Sequence, residues 1–435
     1  MVPGDATPSP KKHKGASSAR DSIDSNDTGR LAFPHSTDSD QTPTRHSNAA
    51  SYRSFRLGGS RSTSRSPTKS QSTSGFSDRQ SNASSYARRR FLELPLKEEG
   101  IVKRDVLDAL TNQDAPAAIR NMLQKIESLE RRRGVLCQSH RNDPSFAPLM
   151  READLDDAVY AVSEDDPASR LTVANAQEIV ADARRCYLEN HDESAWNADV
   201  HNILLRMVLR PAVSQLARLG GFSICTTASM IKDYLPEGEA ERKVDFCMYI
   251  NPSADPDTGL QDKLNELRRV LPGTSLNHTS YAALCPYPIS VGLETKRPGN
   301  DLDGAILQIG IWQATHWKML RQLLCWTAPE RLRRQGRASA SPEEIDTLVN
   351  DELAKLGALH GVVVQGYAWA YVATSPESLD GPAKARSLKT VLWLEQPFGH
   401  TRTELGVHQV AAFLEQLNKW STQVYWPWFK RCFLE

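Results

Sequence analysis

The chain has 435 residues, enough for one large domain or two ordinary ones, and its 53 basic residues balance 53 acidic ones. That balance excludes a global positive field, so any nucleic-acid surface has to be a local patch. Seven cysteines without a C-x-x-C pair, Cys137 and His140 forming a lone C-x-x-H, exclude a disulfide scaffold and a conventional zinc framework.

The first residues lack the apolar run of a signal peptide, and no apolar stretch approaches the roughly 18 residues that span a membrane. These features predict an intracellular protein without membrane partners. Residues 1–90 are rich in Ser, Arg, Thr and Asn and poor in large apolar side chains. Such a segment cannot bury enough surface to offset its ordering entropy, which predicts a disordered tail. Within it, Arg61–Ser66 and Ser66-Pro67 suit phosphorylation and protein partners, and Lys11-Lys12-His13-Lys14 is a basic cluster of the kind used in nuclear import. Ordinary composition of a disordered tail is the plainer account of both.

Order is expected from near Arg90. Leu107, Leu110, Ile119, Leu123, Ile126 and Leu129 have helical spacing, broken around Asp114–Pro116, and predict two helices within residues 102–133. Leu171–Tyr187 is a further helix candidate, so residues 91–184 are expected to form a helical extension. Trp196, Val200, Leu204 and Val208 line one helix face. Phe222–Ile231, Val244–Ile250, Ile289–Lys296, Val362–Ala373 and Thr390–Glu395 have strand character. Leu302 to about Cys325 and Val407–Leu417 are helical, and the tail Tyr425-Trp426-Pro427-Trp428-Phe429 suits core packing. The order predicts an α/β domain over residues 185–435, with a mixed sheet and helices on both faces.

Three charged residues stand out in apolar surroundings. Asp245 opens Val-Asp-Phe-Cys-Met-Tyr-Ile, and Glu294 and Lys296 close Ile-Ser-Val-Gly-Leu-Glu-Thr-Lys. A carboxylate inside a buried strand is costly unless paired or bound to a metal. Residues two apart on a strand share a face, so Glu294 and Lys296 project together. If the strands are neighbours, Asp245 and Glu294 offer hard oxygen ligands for Mg²⁺ or Mn²⁺, the Thr295 carbonyl can add a third, and Lys296 can orient water. An exposed Glu–Lys pair with Asp245 in a salt bridge fits the spacing as well, so spacing alone leaves both open. Cys225 and Cys247 are expected as small core residues.

In the order Lys243-Val244-Asp245, Asn277-His278-Thr279, Pro288–Lys296 and Leu307–Trp312, preceded by Glu193-Ser194-Ala195-Trp196-Asn197, the chain resembles the PD-(D/E)XK nuclease superfamily, and more closely its fungal nuclease-like proteins. The resemblance covers about residues 185–425. It implies a restriction-endonuclease-like core and a Mg²⁺- or Mn²⁺-dependent nuclease acting on DNA, or less readily RNA. It further implies metal ligands at Asp245 and Glu294, a catalytic lysine at Lys296 and a positioning glutamine at Gln308. Members often add an acid from the first helix, here Glu193 or Asp199, though an ordinary helix-start acid is the plainer account of each. Cutting both strands of a duplex would call for a homodimer. The alternative is a nuclease-like module that binds nucleic acid or protein with little catalysis. Val replaces Pro before Asp245, and residues 251–288 form a long excursion in which His278 is expected to be structural. Gln313 and His316 are expected on a half-buried polar face.

Overall fold

In the computed structural model residues 75–435 are described, apart from 112–114, 163–170, 211–217, 258, 338–339 and 378–388, with the backbone alone for 75–83. The basic cluster at residues 11–14 and the Arg-Ser and Ser-Pro motifs lie outside the described residues. Seven strands are β1 (Ile101–Asp105), β2 (Gly220–Ile224), β3 (Phe246–Ile250), β4 (Ile289–Lys296), β5 (Leu359–Gln365), β6 (Ala368–Pro376) and β7 (Thr390–His400). They form one mixed sheet in the order β1-β7-β6-β5-β4-β3-β2, parallel at β1–β7 and β4–β5 and antiparallel elsewhere.

The helices are α1 (Gly75–Glu93), α2 (Ala117–Glu130), α3 (Val173–Leu188), α4 (residues 193–209), α5 (Leu260–Val270), α6 (Leu302–Arg334), α7 (Pro342–Leu356), α8 (Glu404–Trp420) and α9 (Trp426–Phe433). Alternation along the strands divides the core. Val362, Val364, Val391 and Trp393 join the cluster that contains Val410 and Phe413 of α8, whereas Val363 and Leu392 join Ile309 and Trp312 of α6. Helices therefore cover both faces of the sheet, as the near-continuous apolar run of β5 requires. Gly292 lets α6 lie close to β4, because a Cβ there would stand 2.9 Å from Ile309 Cδ1.

Several elements depart from the sequence expectations. Order begins before Arg90: α1 starts at Gly75, buries Ala87 and Phe91, and pairs Arg88 with Asp303 at 2.7 Å. Ile101–Asp105, within a segment of helical spacing, is instead an edge strand on β7. The predicted strand Val362–Ala373 is a hairpin that turns at Gly366-Tyr367, and β2 stops at Ile224 rather than Ile231. Gln313 and His316 are fully buried rather than half-buried. The aromatic tail is core, with Tyr425, Trp426, Trp428 and Phe429 all buried.

Two features dominate the interior electrostatics. Glu352, 2% exposed, receives Arg331 and Lys355 at 3.0 Å and Arg431 at 3.1 Å, tying α6, α7 and α9 together. Burial pushes its carboxyl up, but the three cations outweigh burial and hold it down at about 2. Burial also holds His201 down at about 4 and His316, His360 and His408 at about 3. The unfolded chain takes up protons on these histidines near pH 6.5, and the native protein refuses them. Their contribution to stability is therefore complete above that pH and declines as the pH falls toward 3, by about 1.4 kcal/mol per pH unit for each histidine. Urea unfolding should show a midpoint clearly lower at pH 5 than at pH 7.5, and replacing His408 with Phe should shrink the difference. Equal midpoints at the two pH values would contradict this account.

Candidate metal centre

β4 is flanked by β3 and β5 and covered on both faces, so every residue from Ile289 to Thr295 is buried. Glu294 retains 1% exposure and Asp245 8%. The register Phe246↔Leu293, carried one step on, sets Asp245 across from Glu294. Asp245 leaves the regular ladder at this point. Its Oδ2 accepts the Thr295 N–H at 2.9 Å and the Thr295 hydroxyl lies 2.8 Å away, so the carboxylate itself closes the end of the strand pair. The Lys296 ammonium donates to Glu294 Oε1 at 2.5 Å and to the Thr295 carbonyl at 2.9 Å.

The first helix supplies the remaining partners. Glu193, half-buried at the start of α4, lies 3.5 Å from Lys296 Nζ. Asn197, one turn on, sets its Oδ1 2.7 Å from the Thr295 hydroxyl and 3.0 Å from His201 Nδ1. Residues Asn197–His201 wind as a π turn, a local widening often found where helices serve a site. Glu193 is thus the acid that α4 brings beside Lys296. Asp199 points elsewhere and pairs with Arg185 at 3.2 Å. Asn197 had no role in the sequence expectations, although its spacing of four from Glu193 put both on one helical face.

Burial pushes the Glu294 carboxyl well up, aided by Asp245 and Glu193 and opposed by Lys296. Burial likewise raises Glu193, with Lys296 opposing and Asp245 assisting. Burial pulls the Lys296 ammonium down, but Glu294, Glu193 and Asp245 outweigh it and leave it raised. All three directions mean that the cluster holds protons more tightly than its members would alone. The cluster sets three carboxylates around one ammonium.

Gln308 reaches this region indirectly: its amide donates to the Lys243 carbonyl at 3.2 Å and so holds the chain that enters β3. His278 is buried within the excursion, 4.4 Å from the Trp312 ring and 4.8 Å from the His316 ring. Ile250 N–H bonds the Pro288 carbonyl at 2.8 Å and closes the base of that excursion. Cys225 and Cys247 are both buried.

The donor set is all oxygen: Asp245, Glu294, Glu193 and the Thr295 carbonyl. That chemistry fits a hard divalent cation such as Mg²⁺ or Mn²⁺ and gives no reason for a soft one. The oxygens of the three acids do not all lie within 4.8 Å of one another, and the Lys296 ammonium is lodged between Glu193 and Glu294. Among the described residues, the trio of candidate ligand atoms drawn within 4.8 Å of one another is a different one, Cys186, His191 and Asp199.

Because the Glu294–Lys296 pair is largely buried, removing one partner strands the other. Lys296→Met should destabilise the fold by about 3 kcal/mol, whereas Glu294→Gln/Lys296→Met together should cost much less. Denaturant unfolding of both single variants and the double variant would measure this. Additive effects in that cycle would refute the pairing.

No curated protein matches the chain. A family model described as the PD-(D/E)XK nuclease superfamily matches residues 137–426, about two thirds of its length. The match spans α4, β4 and α6, which carry Glu193, Glu294, Lys296 and Gln308, and β3 with Asp245 one residue before it. The chain belongs to the PD-(D/E)XK nuclease superfamily.

Proposed function

We propose that the protein is a divalent-metal-dependent nuclease that hydrolyses phosphodiester bonds, with DNA the preferred substrate over RNA and Asp245, Glu294 and Lys296 at its centre. One observation carries this: an ammonium held by Glu294 at 2.5 Å at the end of a central strand, with Asp245 joined to the residue between them. Superfamily membership supports a nucleic-acid substrate.

A bound Mg²⁺ or Mn²⁺ would supply charge neutralisation on the phosphodiester and a lowered pKa for its water. Asp245 and Glu294 would hold it, with the Thr295 carbonyl as a further oxygen. Lys296 has three N–H donors. Glu294 and the Thr295 carbonyl take two, and the longer 3.5 Å approach to Glu193 leaves the third for a water or a phosphoryl oxygen. Glu193 is the half-exposed acid of the group, suited to accept the proton of the attacking water. The water oxygen then bonds to phosphorus, the ester P–O bond breaks, and the departing oxygen takes up a proton from solvent water. Thr295 acts on the acids rather than on substrate, by fixing Asp245 Oδ2 through its backbone N–H and hydroxyl.

The substrate would meet a local patch, as the balanced net charge demands. Arg402 lies 4.2 Å over the Tyr367 ring, and the preceding residue, Gly366, bonds its N–H to the Lys296 carbonyl at 2.8 Å. Arginine beside aromatic rings suits phosphate and base contacts.

A second reading is a nuclease-like module that binds nucleic acid or protein without cutting. The ammonium lodged between Glu193 and Glu294 favours it, since a settled ion pair has no open coordination position. Cleavage of labelled single- and double-stranded DNA and of RNA, with Mg²⁺ and with Mn²⁺, separates the two. The nuclease reading expects Asp245→Ala and Lys296→Ala to lower the rate by about a hundredfold or more, and Glu193→Gln by less. Salt-sensitive binding by wild type, with no cleavage that depends on Lys296, would establish the second reading instead.

A further inference from the structure

A second cluster of ligand-type side chains lies behind the candidate centre, at the junction of α3 and α4. Cys186 is buried in the last turn of α3, His191 follows in the connecting turn, and Asp199 sits in the π turn of α4. One ligand atom from each lies within 4.8 Å of the other two. We propose that Cys186, His191 and Asp199 form a transition-metal site of the class that takes Zn²⁺, stapling the end of α3 to the helix that carries Glu193 and Asn197.

The backbone already shapes this corner. His191 N–H bonds the Cys186 carbonyl at 2.9 Å, and Asn190, at φ 53, takes the left-handed conformation that turns the chain back. The imidazole is oriented from behind, with Nε2 3.0 Å from Glu189 Oε2. That contact fixes the tautomer with hydrogen on Nε2 and leaves the lone pair on Nδ1, the arrangement in which a carboxylate supports a metal-binding histidine. His191 Nδ1 is buried and has no hydrogen-bond partner among the described residues. With the hydrogen on Nε2, this buried nitrogen carries an unused lone pair that a metal can take.

Asp199 is oriented too. Arg185 holds its Oδ2 at 3.2 Å and Asp182 Oδ1 at 3.0 Å, so the second oxygen of Asp199 can ligate while the ion pair persists. A thiolate, an imidazole and a carboxylate make a borderline-soft set that selects Zn²⁺ and discriminates against Mg²⁺. Water would complete the tetrahedron. Binding transfers the Cys186 thiol proton to solvent, and uptake therefore strengthens as pH rises. The site is distinct in chemistry from the oxygen-only cluster at Lys296. Its effect on that cluster is positional, because α4 carries Glu193 and Asn197 on the turns next to Asp199.

The test uses the full chain, reduced, freed of metal with a chelator, and titrated with Co²⁺ and then Zn²⁺. The expected result is one Co²⁺ per chain with thiolate-to-cobalt charge-transfer absorption, displaced by one Zn²⁺. Cys186→Ser should abolish that absorption, and His191→Gln should weaken binding by about tenfold or more. His191 is a half-buried loop residue, so its variant reports on the site even where Cys186→Ser folds poorly. Glu294→Gln/Lys296→Met, which removes both members of the buried pair, should leave the absorption intact, which keeps this test independent of nuclease activity. Absence of thiolate absorption in the wild type would overturn the proposal. So would absorption that survives both Cys186→Ser and His191→Gln, or that disappears in the Glu294→Gln/Lys296→Met variant.

Discussion

A carboxylate with 1% exposure in a strand covered on both faces is the constraint around which this molecule is arranged. Glu294 cannot be left alone there, since desolvation of an isolated charge costs far more than any single contact returns. Lys296 answers it from two residues along the same strand, and Glu193 answers Lys296 from α4. Asp245 adds a second carboxylate across the strand pair and is fixed in turn by Thr295. The partners come from β4 itself, from α4 and from the entrance to β3, so the local problem of one side chain dictates where three elements must meet.

The sheet order makes that meeting possible. β4 lies between an antiparallel neighbour that enters at Asp245 and a parallel neighbour whose following turn contacts Lys296 through Gly366. Gly366 is required for the approach: it has φ +55, and a Cβ there would lie 2.4 Å from Pro298 Cγ. Gln308 works at the other side of the same junction by anchoring the Lys243 carbonyl. Because α6 rests on Gly292, one helix both covers β4 and delivers Gln308 to the entrance of β3. Packing and site geometry are therefore set by the same close approaches.

Much of this was legible in the sequence where a single physical demand dominated. Ile289–Lys296 has the same bounds as strand and as motif, because a long apolar run with two charges at one end has few other places to go. Asp245 stood out for the same reason. Other elements were hidden by competing signals. Ile101–Asp105 lies next to leucines with helical spacing, and its strand character comes from pairing with β7, which is distant in sequence. The turn at Gly366-Tyr367 carries aromatic and apolar neighbours on both sides, so the hairpin resembled one continuous strand. The choice between Glu193 and Asp199 depended on which side of α4 docks on β4, and spacing within one helix carries no information about docking. The π turn compounds this by changing the phase between the two acids.

The ion cluster is also informative for what it does not do for stability. A buried ion pair often contributes no more than well-packed apolar residues of similar volume, and sometimes less. Leucine or valine at positions 245, 294 and 296 would satisfy a strand pair that is otherwise apolar. Instead the fold accommodates two acids and a lysine there, recruits a third acid from α4, and spends a threonine on orienting one carboxylate. Packing gives no reason for this arrangement, and neither does the net charge, which is balanced without it. Chemistry that needs a cation beside a poised ammonium does give one. Under the proposed function the cost is borne for the reaction, and the contact between Lys296 and Glu294 would keep the charges compensated until substrate and cation arrive.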